Sequence, residues 1–414
     1  MGFRELNVDL SAEHIALRDA ATKFLAEVWR PASIALDKLP DPNDVIAEGS
    51  ILWDVLRRTW QLGYHKMPLP KELGGLELDI LSLSLISEEM GFAAPDLAVS
   101  LAVCTTPFAY AQLSPDQEIR DLTKRFCEDT EAKMTGCWAI TEPDHGSDWI
   151  LFDGEQAPEA KIVPQVKAVP DGDYYVINGQ KSSWVSNGTF ATHAALWVCL
   201  DPSKGMAAGG IAVVPLKLPG VSRGKPLNKI GQRALNQGEI FFDNVRIPKT
   251  MMVAQDHAIF KFLSNAQLAL ANGFMGLCFS GTARAALDES IKYARSRVQG
   301  GKLISKHQSV KLKLFDMFVS VEAARSLARR VAVYNGQLLK HLQSPAVHYA
   351  MASKILSTET AFRVSSQGVQ IHGGYGLCKD HYIEKIFRDA RAAMIEDGTN
   401  EVLALGGADR LLNG

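Results

Sequence analysis

The chain is most telling at first in what it lacks. It has no uninterrupted apolar run of the roughly eighteen residues that a membrane-spanning helix needs, and no basic-apolar-small signal at its N-terminus. It has no excess charge of one sign: 44 Lys and Arg stand against 46 Asp and Glu, a net charge of −2. That leaves no electrostatic footprint for nucleic acid or an anionic membrane. Its cysteines (104, 127, 137, 199, 278 and 378) lie far apart without paired spacing. Neither a disulfide framework nor a zinc site is expected, and free thiols in a reducing, cytoplasmic setting are the simplest reading. His145 and His372 have no neighbours at metal-ligand spacing, so no metal is expected. No phosphate-binding P-loop or Gly-x-Gly-x-x-Gly turn is present.

What is there is a long, ordinary globular composition. At 414 residues, 47% hydrophobic and 22% charged, the chain is too long for one core and should form two or three domains. Apolar residues recur at helical spacing from Ser11 to Val28, and further helices are expected over Ile51–Leu62, Ile80–Phe92 and from Ala98 towards Leu113. Residues 67–75, with two prolines and two glycines, read as a loop. After Lys133 the texture changes to short β-branched and aromatic runs: Tyr174–Ile177, Ala194–Leu200, Ile211–Pro215 and Glu239–Phe242. Asp171-Gly172-Asp173 and Asn178-Gly179 carry hairpin chemistry. With no helical crossovers between these runs, an antiparallel β-barrel or sandwich is expected rather than a parallel dinucleotide-binding sheet. From Met251 onward long periodic stretches, Gln267–Arg295, Val310–Leu342 and Ala346–Gln370, suggest a four-helix bundle. The expected domains are 1–133 (helical), 134–250 (β) and 251–414 (helical bundle).

Two stretches carry chemistry. Thr141-Glu142-Pro143-Asp144-His145-Gly146-Ser147-Asp148 joins a structure-stopping proline to a glycine that lets backbone approach a ligand, with hydroxyls on either side. Near the C-terminus, Ile395-Glu396-Asp397-Gly398-Thr399-Asn400 places an acidic pair on a Gly-Thr step, the arrangement needed to abstract a proton beside a carbonyl.

In order, these motifs resemble the acyl-CoA dehydrogenase family. Thr-Glu-Pro-x-x-Gly-Ser-Asp is similar to its first signature. Asn178–Gly188 is similar to its Gly-x-Lys-x-Trp-Ile-Thr-Asn strand pair, with one extra residue before Trp184. Lys229-Ile230-Gly231-Gln232-Arg233 through Glu239–Pro248 resembles the end of its β domain. Tyr293–Gln308 resembles the helix and turn that meet a neighbouring subunit's flavin. Gln370–Gly376, with Glu384-Lys385 and Arg388-Asp389, is similar to its second signature.

The resemblance implies an FAD enzyme of fatty acid or carboxylic acid catabolism, usually a homotetramer. It would act on an acyl-CoA and pass electrons to an electron-transfer flavoprotein. Ile140 and Thr141 would meet the flavin ring edge, and Trp184 and Ser186 would cover its other side. Arg297 and Gln299 would reach the pyrophosphate or adenine end of a neighbour's FAD, where a guanidinium suits paired phosphates. Gln308, Gln370, Gly373 and Gly374 would line the same cofactor, with Thr399 and Glu401 beside it. Ser147 would lie near both cofactor and the pantetheine-phosphate path, and Gly398 against substrate.

The departures concern the base. The family pattern has Glu directly before Gly-Thr; here that position is Asp397, with Glu396 before it as the substitute candidate. Asp is one methylene shorter, and a misplacement of ~1 Å can cost on the order of a hundredfold. A cyclic or branched acyl group that brings its hydrogen closer is one answer. The base position of branched-chain and long-chain relatives falls on Ala271, which cannot act. Asn272 stands where an Arg often lies near the base. Gly300 replaces a common aromatic residue, and the Trp149–Gln165 link is longer than usual. No Arg stands in residues 94–100 to hold a distal carboxylate, so a dicarboxylic substrate is not expected. A flavin oxidase of the nitroalkane-oxidase type, where an Asp base is known, and a non-catalytic flavin-binding subunit are the competing readings.

Overall fold

The computed structural model describes residues 5–7, 9–151, 162–207 and 209–413. The expected order of helices, strands and helices is present. Among the described residues six α-helices come first: α1 (Ala12–Phe24), α2 (Arg30–Asp37), α3 (Ile51–Gln61), α4 (Ile80–Ala93), α5 (Pro95–Ala111) and α6 (Gln117–Glu128). A single π turn, Leu25–Trp29, joins the first two. Caps explain several starts: Ser11 accepts from the His14 N–H, and Asp79 accepts from Leu81 and Ser82. Helices α4 and α5 bury almost every residue, so their sequences lack a polar stripe.

Among the described residues eight strands form one sheet: β1 (Gly136–Ala139), β2 (Lys167–Asp171), β3 (Tyr174–Ser186), β4 (His193–Cys199), β5 (Gly209–Pro215), β6 (Val221–Arg223), β7 (Gln237–Pro248) and β8 (Met252–Ala254). Most pairings are antiparallel, but β1 and β2 each pair with β4 in parallel. The Asp171–Asp173 hairpin is present between β2 and β3. Asn178-Gly179 is not a hairpin. It lies inside β3, where the register against β7 shifts and Gly179 takes φ +132°. A Cβ there would stand 2.8 Å from Val166 Cα, so the glycine serves close strand approach instead of a chain reversal. A second shift separates Lys181 from Val185, with Ser183 at φ +39°. The extra residue before Trp184 is thus absorbed as a bulge.

Helix α7 (His257–Ser296) runs 40 residues. A small hairpin, β9 (Val298–Gln299) and β10 (Lys302–Leu303), follows it. The two turn residues, Gly300 and Gly301, have φ +61° and +76°, a geometry that favours glycine and accounts for Gly300 in place of an aromatic residue. Helices α8 (Gln308–Lys340), α9 (Val347–His372), α10 (Tyr382–Ala393) and α11 (Asn400–Asn413) complete the bundle. Helix α7 packs along α9, α4 and α8, joining the bundle to the first helices.

Buried ion pairs lock the three parts together. Arg388 grips Asp37 through two bonds of 2.8 and 2.6 Å and reaches the Ile230 carbonyl at 2.7 Å. Lys385 bridges Asp389 (2.6 Å) and Asp96 (3.0 Å). All six cysteines are free, and only Cys378 is exposed. Among the described residues no helix is long and apolar enough to cross a membrane.

Candidate active site

The loop after β1, the bulged end of β3 and the turn between α10 and α11 converge on one cleft of about 480 Å³. Its wall includes Ile140, Thr141, Ser147, Trp184, Ser186, Glu396, Asp397 and Gly398. The loops are cross-tied. Ser182 N–H donates to the Thr141 carbonyl at 3.0 Å. Lys181 Nζ donates to the Ile140 carbonyl at 2.8 Å and to Glu142 Oε1 at 2.7 Å. Glu142 also accepts from the Gln165 and Val166 N–H groups at 2.6 and 3.0 Å. Both side chains of the Lys181–Glu142 pair are fully buried. Burial pulls Lys181 down to about 8, against the opposing pull of Glu142. The proline-containing motif is therefore a rigid corner, set by a charge pair that its composition alone did not reveal.

The Asp397 turn is similarly held. Asp397 and Gly398 have φ +52° and +97°, a conformation costly for a residue with a Cβ. Lys354, wholly buried on α9, donates to the Gly398 carbonyl and to Asn400 Oδ1, each at 2.8 Å. Thr399 N–H donates to Ser147 Oγ at 3.0 Å, fastening this turn to the loop after β1. Gly398 has no room for a side chain: a Cβ would stand 2.1 Å from Ile150 Cδ1.

The two acids are unlike. Glu396 Oε2 accepts from Gln232 Nε2 at 2.6 Å, and Gln232 is itself anchored on Asp389. Among the described residues nothing donates to the Asp397 carboxylate. Burial pushes Asp397 up to about 6, with Lys354 pulling the other way. Burial pushes Glu396 up to about 7; Asp397 adds to the rise and Lys229 opposes it. Lys354 thus sets a cation beside Asp397 from α9, where the expected arginine position holds Asn272. Asn272 is buried and bonded to the Leu268 carbonyl at 3.0 Å.

Arg297, Gln299, Gly373 and Gly374 line a separate cavity of about 560 Å³ with Tyr293 and His372. Arg297 stands 5.7 Å from the Tyr375 ring centre and donates to Gln299 Oε1 at 3.2 Å. Tyr293 and His372 stack at 4.1 Å. Gln308, Gln370, Thr399 and Glu401 line neither cavity. Gln308 is exposed at the start of α8 and Gln370 near the end of α9, and Glu401 is exposed in the first turn of α11. Of the long Trp149–Gln165 link, residues 152–161 lie outside the described residues, while Trp149 and Ile150 line the cleft.

The cleft suits FAD. The indole N–H groups of Trp138 and Trp149 are buried without acceptors, and both side chains form cleft wall. A ligand rich in carbonyl and hydroxyl oxygens would satisfy them. Trp184 is 57% exposed at the rim, a flat apolar face suited to stacking. Gln237, which donates to Ser186 Oγ at 3.0 Å, and Lys229, which donates to Gln237 Oε1 at 2.7 Å, add polar groups that the motif reading passed over. Lys229 opens the Lys229–Arg233 motif, and Trp149 opens the long link after Asp148; Gln237 and Trp138 carried no signal of their own.

Comparison with known proteins agrees. Residues 11–114, 137–245 and 263–412 match the models of the acyl-CoA dehydrogenase N-terminal, middle and C-terminal domains. A cyclohex-1-ene-1-carbonyl-CoA dehydrogenase of Geobacter metallireducens is 32% identical over 390 residues, 93% of each chain. The caffeyl-CoA reductase–Etf complex subunit CarC of Acetobacterium woodii is 30% identical over 366 residues, 87% of this chain and 90% of the relative. In fold, the Megasphaera elsdenii butyryl-CoA dehydrogenase aligns with a TM-score of 0.84 at 24% identity, covering 98% of this chain and 100% of that one. With a cleft that fits the cofactor and matches along its whole length, the chain belongs to the acyl-CoA dehydrogenase family of FAD-dependent oxidoreductases.

Proposed function

We propose that the protein removes hydrogen from Cα and Cβ of an acyl-CoA thioester, with Asp397 taking the α-proton. One observation carries this: Asp397 is shared by the cofactor cleft and a second, apolar chamber, and its carboxylate is free of donors and raised towards neutrality. A base of that kind is ionised at working pH yet basic enough to accept a carbon-bound proton. Glu396, held by Gln232, is the positioned neighbour and not the base.

The other residues orient and exclude water. Lys354 and Ser147 hold the turn so that the Asp397 N–H and carboxylate are presented together, the N–H to the thioester oxygen and the carboxylate to the α-hydrogen. Trp138, Trp149, Ile150 and Phe260 wall the reacting carbons, where low polarity strengthens both contacts. Ile140, Thr141, Trp184 and Ser186 are the proposed holders of the flavin ring, and Arg297, Gln299, Gly373 and Gly374 of the far end of an FAD. FAD, when bound, supplies the acceptor for the β-hydride.

An electron-transfer flavoprotein is the proposed onward acceptor; the Acetobacterium relative is named as a subunit of a complex with one. The cyclic or branched acyl groups that a short base favours have a named precedent in the Geobacter relative. A homotetramer is supported by an apolar stripe on α8, where Leu312, Phe315 and Val319 are 73, 66 and 52% exposed at helical spacing. The test is anaerobic bleaching of bound FAD by a panel of acyl-CoAs. Bleaching that survives in Asp397→Asn removes the base assignment, and bleaching by no acyl-CoA removes the function.

A further inference from the structure

The apolar chamber at Asp397 has a volume of about 280 Å³ and shares Val99, Val103, Trp138 and Asp397 with the cleft. Helices α4, α5, α7 and α8 and the Tyr64–Pro68 loop all contribute to its wall. Asp397 is the only charged side chain on it among the described residues. Several of its polar groups are spent elsewhere. Ser84 donates to the Ile80 carbonyl at 2.6 Å, Thr105 to the His65 carbonyl at 2.9 Å, and Asn335 is paired with Ala346. A ligand entering it therefore meets mostly hydrocarbon, with the Tyr64 and Ser87 hydroxyls, the Gln267 amide and the Trp138 indole as the remaining polar groups of the wall. For scale, an engineered apolar cavity of ~150 Å³ admits benzene.

Helix α7 explains the space. Three of its glycines look alike in sequence and differ in surroundings. A Cβ at Gly276 would stand 2.3 Å from Ser353 Oγ on α9, and one at Gly281 would stand 2.0 Å from the Glu88 carbonyl on α4. Those two glycines are required for close helix packing. Gly273 is also buried, yet a Cβ there would meet nothing within 4 Å. No neighbouring element explains it, and a glycine in mid-helix is otherwise unfavourable. What lies beyond it is the chamber, whose wall it shares with Ala271.

We propose that Gly273 makes room for the acyl group, and that the substrate is a bulky, uncharged acyl thioester carrying a ring or branch near the reacting carbons. This rests on the dehydrogenase reading above. A broad chamber walled by four helices accommodates width, and a slender straight chain would leave much of it without contacts. A terminal carboxylate would be buried there without a counter-charge.

The experiment compares purified FAD-loaded wild type and Gly273→Leu for anaerobic bleaching with cyclohexanecarbonyl-, butyryl-, octanoyl- and glutaryl-CoA. The binding of each is measured in parallel from the shift in the flavin absorption spectrum. Leucine improves helix propensity and points into open space, so FAD content and melting temperature should be unchanged; Gly273→Ala is the milder companion if they are not. The expected result is that wild type prefers the ring substrate. Gly273→Leu should then lose more than about tenfold for that substrate while butyryl-CoA changes by less than about threefold. Equal loss for both, loss for neither, or a wild-type preference for octanoyl- or glutaryl-CoA overturns the proposal. Selective binding of the ring thioester without bleaching would uphold the chamber and remove the dehydrogenation reading instead.

Discussion

The sharpest prediction concerns the pH at which the proposed base, Asp397, switches on. Asp397 is pushed from an ordinary 3.8 to about 6 because its carboxylate is desolvated, with Lys354 limiting the rise. The group acts only when ionised, so the rate of flavin bleaching at saturating acyl-CoA should be flat at neutral pH and fall on the acid side. One unit below its midpoint, at about pH 5, roughly one site in eleven is ionised and the rate drops about tenfold. An aspartate at its ordinary value would lose only about 6% of its rate there. The neighbouring Glu396, raised to about 7, would place the limb a unit higher if it were the base. The two carboxylates interact, so the profile reports apparent values of the pair. The assay is stopped-flow bleaching in buffers of constant ionic strength, repeated on Glu396→Gln. That variant removes a like charge and should keep the activity, with the limb unmoved or lower. A limb near pH 4 in the wild type refutes the desolvated base. Loss of bleaching in Glu396→Gln with retention in Asp397→Asn reverses the two roles.

Other outcomes follow from single contacts. Lys354→Met removes the cation opposite Asp397 and should move the acid limb upward, whereas Lys354→Arg should restore part of the shift; an unmoved limb would reduce Lys354 to a packing residue. Glu142→Gln leaves Lys181 buried without its counter-charge, a change that typically costs about 3–5 kcal/mol. Urea unfolding should show that loss, together with weaker FAD retention. Gly398→Ala must displace Ile150, whose Cδ1 lies 2.1 Å from the new Cβ, and must hold alanine at φ +97°. Bleaching should fall on the order of a hundredfold from the misplaced base, with little change in the circular dichroism spectrum. Arg388→Ala breaks the bidentate grip on Asp37, and limited proteolysis should then release the first helices earlier than in wild type.

Much of the fold was legible because its signals are local. Periodicity located α3, α4, α5, α8 and α9 to within a few residues, since burying one face of a helix writes a repeat into the sequence; it placed the start of α7 ten residues late and did not single out α2, α6, α10 or α11. Hairpin chemistry was correct at Asp171–Asp173 and misleading at Asn178-Gly179, where Val166 approaches from the bend before β2 and the glycine serves that contact. Gly300, where an aromatic residue is common, is a turn requirement. The parallel pairings of β4 were not foreseeable, because register between distant strands leaves no mark in either one alone.

The sequence by itself determined the family and the succession of helical, β and helical parts. It also determined that an aspartate stands where a glutamate is usual. Motif order and periodicity carry that information, and neither depends on how distant segments meet. Only the tertiary structure decided which acid is free. Gln232, more than a hundred and fifty residues earlier in the chain, takes Glu396 and leaves Asp397 bare. It likewise supplied a cation from α9 and distinguished the glycine that faces a void from the two that face neighbouring helices. Charge pairing and empty space are properties of contacts between remote residues, and a linear sequence does not display them until the chain is folded.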